Sequence, residues 1–476
     1  MTRRNHLLPA GILFLLALAI LFGCSQSSPA YPINTWEDAN CLLTVGRAMR
    51  SGAVLYRDIY EQKGPTLYAL HALAAFVMPA WSRFLGVFLL EVLACFLTLL
   101  CAYRCTAGPV ARRLLTTAVF AAVTYACGAF CRGDSAEEFC LPCIMAMIMI
   151  CHRTCGRFTC ADMGKLGFLS GIIATIKFTI LGIPLGLCLC VPFLTGLRRP
   201  VRTAQKAAAF LAGMLIPIGM WLLYFAVHGA LSDFFTAYIT NNIFLYAGER
   251  PNAWELLYML RQNLLMLAVL LLSAVRYARH AQLRFLLVPL ALQLLVLTVF
   301  GRMWLYSLLI LTPFTLFSLQ GILEFIRKGM SRFLTRRTEN ALAGLGMLAA
   351  LCCAVLFTPN AGMRGVRFED TPQGQLASYI EPGASFLQYS HLDDGMYLVT
   401  GQLPQGRFFC NLNVDYPLMH EELDRYLTEG MPEYVLVTWR QLPQQFTRYR
   451  QIAYANGLDQ YNQPRKDFFL YQRIDP

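Results

Sequence analysis

Charge is what this sequence has least of: Asp, Glu, Lys and Arg make up only 14% of its 476 residues, where an average soluble domain carries about 25%. That deficit excludes a soluble cytosolic enzyme. The chain also lacks a contiguous basic face, so its net charge of +12 does not point to nucleic acid, which is bound by Lys and Arg clustered on a folded surface. It has no internal repeat, no low-complexity segment and no zinc-type spacing. Cys151, Cys155 and Cys160 with His152 match no metal pattern, and their cytoplasmic position argues against a disulfide. Most of the 17 cysteines, among them Cys95, Cys101, Cys127, Cys188, Cys190, Cys352 and Cys353, sit in apolar segments as small hydrophobes. What is abundant is apolar sequence: 57% hydrophobic residues, a mean hydropathy of +0.48, and runs of about 15 to 22 residues recurring from Leu7 to Phe357, which fit a chain solvated by lipid.

The bases give those runs a direction. Arg3 and Arg4, Arg104/Arg112/Arg113, Arg153/Arg157/Lys165, Arg198/Arg199/Arg202/Lys206, Arg276/Arg279/Arg284 and Arg327/Lys328/Arg332/Arg336/Arg337 all fall on one side, which the positive-inside rule makes cytoplasmic. About eleven spans result, near residues 7–23, 84–104, 112–130, 138–151, 166–180, 181–196, 207–227, 256–275, 283–300, 303–325 and 341–357. The pair between Lys165 and Arg198 is the shortest, with Gly182 and Pro184 marking its turn. Met1 to Ser28 reads as an uncleaved first span, although LFGCS at 21–25 hints at a lipoprotein cleavage box with Cys24 as its acylated residue.

An odd count leaves the amino terminus in the cytoplasm and the carboxyl terminus outside. The expected fold class is therefore an α-helical polytopic membrane protein over residues 1–357, followed by a soluble extracytoplasmic domain over 358–476. That tail is polar enough for a small α/β or α+β domain. YLVT (397–400) and YVLVTW (434–439) read as buried strands, and HEELDRYLTEG (420–430) as a helix closed by Gly430.

Two outer loops, 24–83 and 228–255, are long for tight hairpins, and long ordered loops tend to carry function. Within the first, LYALHALAAFVM (67–78) ends at Pro79 and reads as an amphipathic helix at the outer interface. The same loop gathers Glu37, Asp38, Arg47, Arg50, Arg57, Asp58, Glu61 and Lys63, preceded by Trp36 and interleaved with Tyr56, Tyr60 and Tyr68. A solvated loop is the bland interpretation; a pocket for a polar ligand is the functional one. Between the third and fourth spans, Glu137 and Glu138 head an apolar run. Two carboxylates there either begin a helix favourably or face water or substrate. Lys177, inside another apolar run, requires a partner, for which Glu91 is the candidate.

The stretch GAVLYRDIYEQKGPTLYAL (52–70), preceded by Trp36-Glu37-Asp38, resembles the first outer loop of the GT-C membrane glycosyltransferases. These use polyprenyl-phosphate-linked sugars and include the protein O-mannosyltransferases and aminoarabinose transferases of the family 39 type. In many bacterial members an acidic residue follows the first span, and a Tyr, an Asp and a Lys-Gly-Pro or Lys-Pro-Pro come after it; here these are Asp38, Tyr56, Asp58 and Lys63-Gly64-Pro65. CRGDSAEEFCLP (131–142) is similar to the acidic second outer loop of the same superfamily, with Asp134 standing where relatives often carry Asn. The resemblance covers the topology of about 350 residues of membrane part, and its motifs lie in 36–70 and 131–142. The catalytic region it implies lies in outer loops 24–83 and 131–138.

What the resemblance implies is an inverting transferase that moves a hexose or pentose from a polyprenyl-phosphate donor to a glycan, lipid or protein on the outer face. Sugar transfer needs a base for the acceptor hydroxyl and cations for the departing phosphate. Asp38 is the candidate base, in a catalytic set with Glu37, Glu137 and Glu138, the last two orienting the acceptor or sharing a metal. Lys63, then Arg57 and Arg302, are candidates for the phosphate, and Tyr56, Asp58, Tyr60, Glu61 and Tyr68 line the pocket. The superfamily uses divalent metal in some branches; Glu61, His71 and His228 are conceivable ligands, with no spacing that selects a site. Besides the donor and acceptor, the partners are membrane lipids and not nucleic acid. Two alternatives share the many spans: a transporter or flippase of lipid-linked sugars, which repeat symmetry and midplane charges would mark, and a surface-polysaccharide polymerase or ligase, whose key loop falls late in the chain.

Overall fold

The computed structural model describes residues 4–154, 157–195, 200–245, 252–299, 304–330, 332, 335–458 and 466–474. Arg3, Cys155, Arg198, Arg199 and the candidate phosphate ligand Arg302 lie outside the described residues. Among the described residues the apolar runs are helical, because a backbone in lipid must satisfy its own polar groups. Among the described residues, six helices are long and apolar enough to cross a membrane: Leu7–Cys24, Leu85–Cys105, Val201–Val227, Ala281–Val299, Leu305–Met330 and Arg336–Phe357. A seventh span arises if Ala253–Gln262 and Leu264–Arg279, bent by 79°, are taken together. The remaining runs form the shorter or more polar helices Val110–Tyr125, Ala136–Thr154, Cys160–Ile176 and Gly182–Thr195. The chain is a multi-pass membrane protein.

Contacts divide the chain into two compact units. The first comprises Met1–Ser25, Phe88–Met220 and Gly248–Gly362. Its helices approach closely through small residues, as membrane helices do where packing replaces the hydrophobic effect. A Cβ on Gly167 would stand 1.9 Å from the Phe210 carbonyl oxygen, and one on Gly213 would stand 2.1 Å from that of Gly164. The sharp bend is built by Asn263: its Nδ2 donates to the Met259 carbonyl at 2.9 Å, and its Oδ1 accepts the Ala129 N–H at 2.8 Å.

The second unit comprises Gln26–Val87, Trp221–Ala247 and Met363–Pro476. It holds a four-stranded sheet of β1 (Phe386–Gln388), β2 (Tyr434–Thr438), β3 (Tyr449–Gly457) and β4 (Lys466–Arg473), in the order β1-β2-β4-β3. β1 runs parallel to β2, and the other pairs are antiparallel. The helix Pro417–Glu429 begins on Pro417, whose fixed φ suits a first turn, and ends at Gly430 with φ 69°. One expected strand is absent: Met396–Thr400 is a short helix, not a β-segment. Gly395 and Gly401 bracket it at φ 90° and 78°, and the consecutive burial of Met396, Tyr397 and Leu398, which mimics a strand in sequence, comes from packing on all sides.

The first long loop is ordered by two helices, Glu37–Arg50 and Pro65–Ala74. They cross at Gly46, where a Cβ would meet the His71 backbone at 2.5 Å. The second helix is shorter than the expected 67–78, and it leaves Leu73, Phe76 and Val77 exposed around its end. Arg47 binds the carbonyls of Tyr397, Gly401 and Gln402. Thr44 donates to Asp393 at 2.6 Å, and Asp393 also accepts the Gly395 N–H at 2.8 Å.

Burial pushes the Asp393 carboxyl up to about 6, against the pull of Thr44 and Gly395. The native state then holds its proton more tightly than the unfolded chain does. This group's contribution to stability is therefore present below pH ~4 and lost as pH rises toward ~6. In thermal or denaturant unfolding, the stability difference between the wild type and Asp393→Asn should change by roughly 3 kcal/mol from pH 4 to pH 7. A difference flat across that range would remove Asp393 as the titrating group.

Candidate active site

The helix Glu37–Arg50 starts after Trp36 with no side-chain cap, and two acids in its first turn complement the exposed N–H groups and the helix dipole. Being consecutive, Glu37 and Asp38 point about 100° apart around the helix and reach different cations. Asp38 meets Lys63 at 3.0 Å, and Lys63 also meets Glu61 at 3.1 Å. Glu37 meets Lys466 at 2.6 Å, and Lys466 also binds Asp394. In each group one ammonium bridges two carboxylates. For Lys63, burial disfavours the charge, but Asp38 and Glu61 outweigh it and hold the ammonium well above the ordinary lysine range. Lys466 is raised in the same way, burial being outweighed by Asp394 and Glu37.

Lys63 is positioned by its loop. Its carbonyl accepts the Tyr56 hydroxyl at 2.6 Å, and its N–H is donated to Glu61 Oε2 at 3.0 Å and to the Tyr68 hydroxyl at 3.2 Å. Tyr56 takes a left-handed φ of 68°, unusual for a bulky residue, and its ring packs on Phe225 and Phe234. Tyr60 accepts from Asn241 Nδ2 at 2.7 Å and lies against Phe408 and Tyr416. Asp38, Glu61, Lys63, Tyr56 and Tyr68 thus form one connected cluster. Arg57 and Asp58 are turned to one another at 2.8 Å on the surface, with Arg57 also donating to the His228 carbonyl. Glu37, expected in the catalytic set, binds Lys466, which in turn binds Asp394. Sequence inspection missed both of those partners, since 429 residues separate Glu37 from Lys466.

In the other unit, Glu137 and Glu138 are almost wholly buried at the start of Ala136–Thr154. Glu137 binds Lys177 at 2.7 Å, so Glu137, rather than the expected Glu91, is the partner of Lys177. Glu91 is occupied elsewhere: it accepts the Ser25 hydroxyl at 2.8 Å and the Asp134 N–H at 2.6 Å. The turn before the helix brings this about. Cys131, Gly133 and Asp134 all have left-handed φ, of 53°, 84° and 62°, which directs the Asp134 N–H at both Glu91 and Glu138, the latter at 3.0 Å. A Cβ on Gly133 would lie 2.3 Å from Ser25 Oγ, so only glycine fits. Among the described residues no three His, Cys, Asp or Glu side chains are grouped to hold a metal ion, and Glu61, His71 and His228 form no such group.

No protein-family model and no curated protein matches the chain. Its likeness is to solved structures. ArnT from Cupriavidus metallidurans bound to undecaprenyl phosphate superposes with a TM-score of 0.58 at 12% identity, over 99% of this chain and 98% of that one. The apo state of the same protein gives 0.59 at 12% identity, over 98% and 97%. The Archaeoglobus fulgidus oligosaccharyltransferase in complex with Zn and sulfate gives 0.47 at 12% identity, over 89% and 67%. The chain has the fold of the GT-C glycosyltransferases, a helical membrane part with a small sheet in its carboxyl-terminal region.

Proposed function

We propose that this chain is an inverting glycosyltransferase that moves a sugar from a polyprenyl-phosphate donor to a glycan, lipid or protein acceptor on the outer face of the membrane. The observation that carries this reading is the Lys63 ammonium between Asp38 and Glu61. The GT-C fold supports it, and so does the undecaprenyl phosphate bound by one structural neighbour.

The roles follow from charge. An arriving lipid phosphate competes with the carboxylates for Lys63. As Lys63 turns to a phosphate oxygen, Asp38 loses its cation and becomes the stronger proton acceptor. The acceptor oxygen then bonds to the anomeric carbon as the bond to the phosphate oxygen breaks. The acceptor proton passes to Asp38, and polyprenyl phosphate leaves with its charge countered by Lys63. Glu61 keeps Lys63 charged and in place throughout. Glu137, held by Lys177, and Glu138, which accepts the Asp134 N–H, are the proposed pair for orienting the acceptor. A divalent ion, where one is used, would add a further counter-charge at the phosphate.

A single displacement inverts the sugar. With a donor of defined anomeric configuration, NMR of the product should show the opposite configuration. Retention would require a covalent sugar intermediate and end the assignment of Asp38 as base.

A further inference from the structure

Cys41 and Cys410 are 369 residues apart in sequence, yet their Sγ atoms lie 3.9 Å from each other. Both are buried, at 0% and 1% exposure. Cys41 follows Asp38 by three residues on the helix Glu37–Arg50, so the two side chains share a flank of that helix. Cys410 follows the buried pair Phe408 and Phe409. The Asp393 N–H donates to Cys41 Sγ at 3.3 Å, which ties the same sulfur to the turn that Thr44 also binds. Neither sulfur has a part in sugar transfer. A disulfide needs a separation of about 2 Å, a closure of roughly 2 Å shared between two side chains.

We infer that Cys41 and Cys410 form a disulfide that fastens the helix bearing Asp38 to the carboxyl-terminal segment. This rests on the outward placement of the first loop and the tail in the proposed function, because disulfides persist outside the cytoplasm and not within it. The oxidant is the disulfide of an envelope thiol–disulfide oxidoreductase. One cysteine, as thiolate, attacks that disulfide and releases one of its sulfurs as a thiol. The second cysteine then attacks the mixed disulfide and releases the other. One S–S bond forms and one breaks; two protons and two electrons pass from Cys41 and Cys410 to the oxidant. Since both sulfurs are enclosed in the folded chain, the exchange precedes closure of the tail over the helix.

The test uses the wild-type chain in its own membrane. Cells are quenched in acid, free thiols are blocked with N-ethylmaleimide under denaturing conditions, and peptides are mapped with and without reductant. The expected result is a Cys41–Cys410 linked peptide that disappears on reduction. In detergent, dithiothreitol should lower the thermal midpoint of the wild type by about 5 °C and leave that of the Cys41→Ala/Cys410→Ala variant unmoved. N-ethylmaleimide on both cysteines without reductant would overturn the inference. Protease digestion of a carboxyl-terminal epitope on intact spheroplasts separates the two ways of failing. Alkylated cysteines with a digested epitope defeat the disulfide alone; a protected epitope defeats the outward placement and, with it, the inference.

Discussion

Asp38→Asn should lower sugar transfer from a polyprenyl-phosphate donor by 10²- to 10⁴-fold, roughly the contribution of a positioned general base. The substitution is nearly isosteric and keeps an oxygen that can face Lys63 at the present 3.0 Å. Glu61 remains as a carboxylate partner for the ammonium, so the loop and helix should stay in place. What is lost is the ability to take a proton. The expected signature is a fall in the rate of the chemical step with the donor KM little changed, measured with membranes or purified chain and a labelled lipid-linked sugar pool. Transfer at the wild-type rate would show that the base lies elsewhere.

Lys63→Met should also be severe, by about 10²- to 10³-fold, for a different reason. It removes the cation that counters the departing phosphate, and it leaves Asp38 and Glu61 without the charge that now lies between them. Such stranded carboxylates destabilise a buried site, so the variant must be shown to fold. Lys63→Arg provides the control, since it keeps the charge and changes its shape. An arginine retains part of the activity if electrostatics dominate and little if the compact ammonium is needed to leave one partner and take another. In either variant the donor KM should rise, which Asp38→Asn does not produce. Full activity in Lys63→Met would remove the phosphate role.

Much of this was legible in the sequence because it is local. Hydropathy marks the apolar runs, and among the described residues they are helical, with six or seven long and apolar enough to cross a membrane. The Asp38 and Lys63 pairing spans 25 residues, across one helix and one loop, and a shared motif could indicate it. A turn signal such as Gly430 is likewise readable within one segment. Non-local contacts were not. Nothing near Glu37 announces Lys466, and nothing near Lys177 distinguishes Glu137 from Glu91, since either acid on an apolar helix could serve until packing chooses. YLVT looked like a strand because burial on all sides and alternation within a sheet cannot be told apart in four residues. The left-handed turn at 131–134 was hidden for the opposite reason: Cys131 and Asp134 carry no glycine signature for their positive φ.

The central claim is a division of labour, with the ammonium gripping the lipid phosphate and the carboxylate taking the acceptor proton. It is tested most directly by measuring polyprenyl-phosphate binding to wild-type, Asp38→Asn and Lys63→Met chains side by side in the same detergent or nanodisc. The account predicts that Asp38→Asn binds the carrier phosphate at least as tightly as wild type, because one competitor for Lys63 is gone, and that Lys63→Met binds it at least tenfold more weakly. Equal binding by all three, or a loss in Asp38→Asn alone, would contradict it.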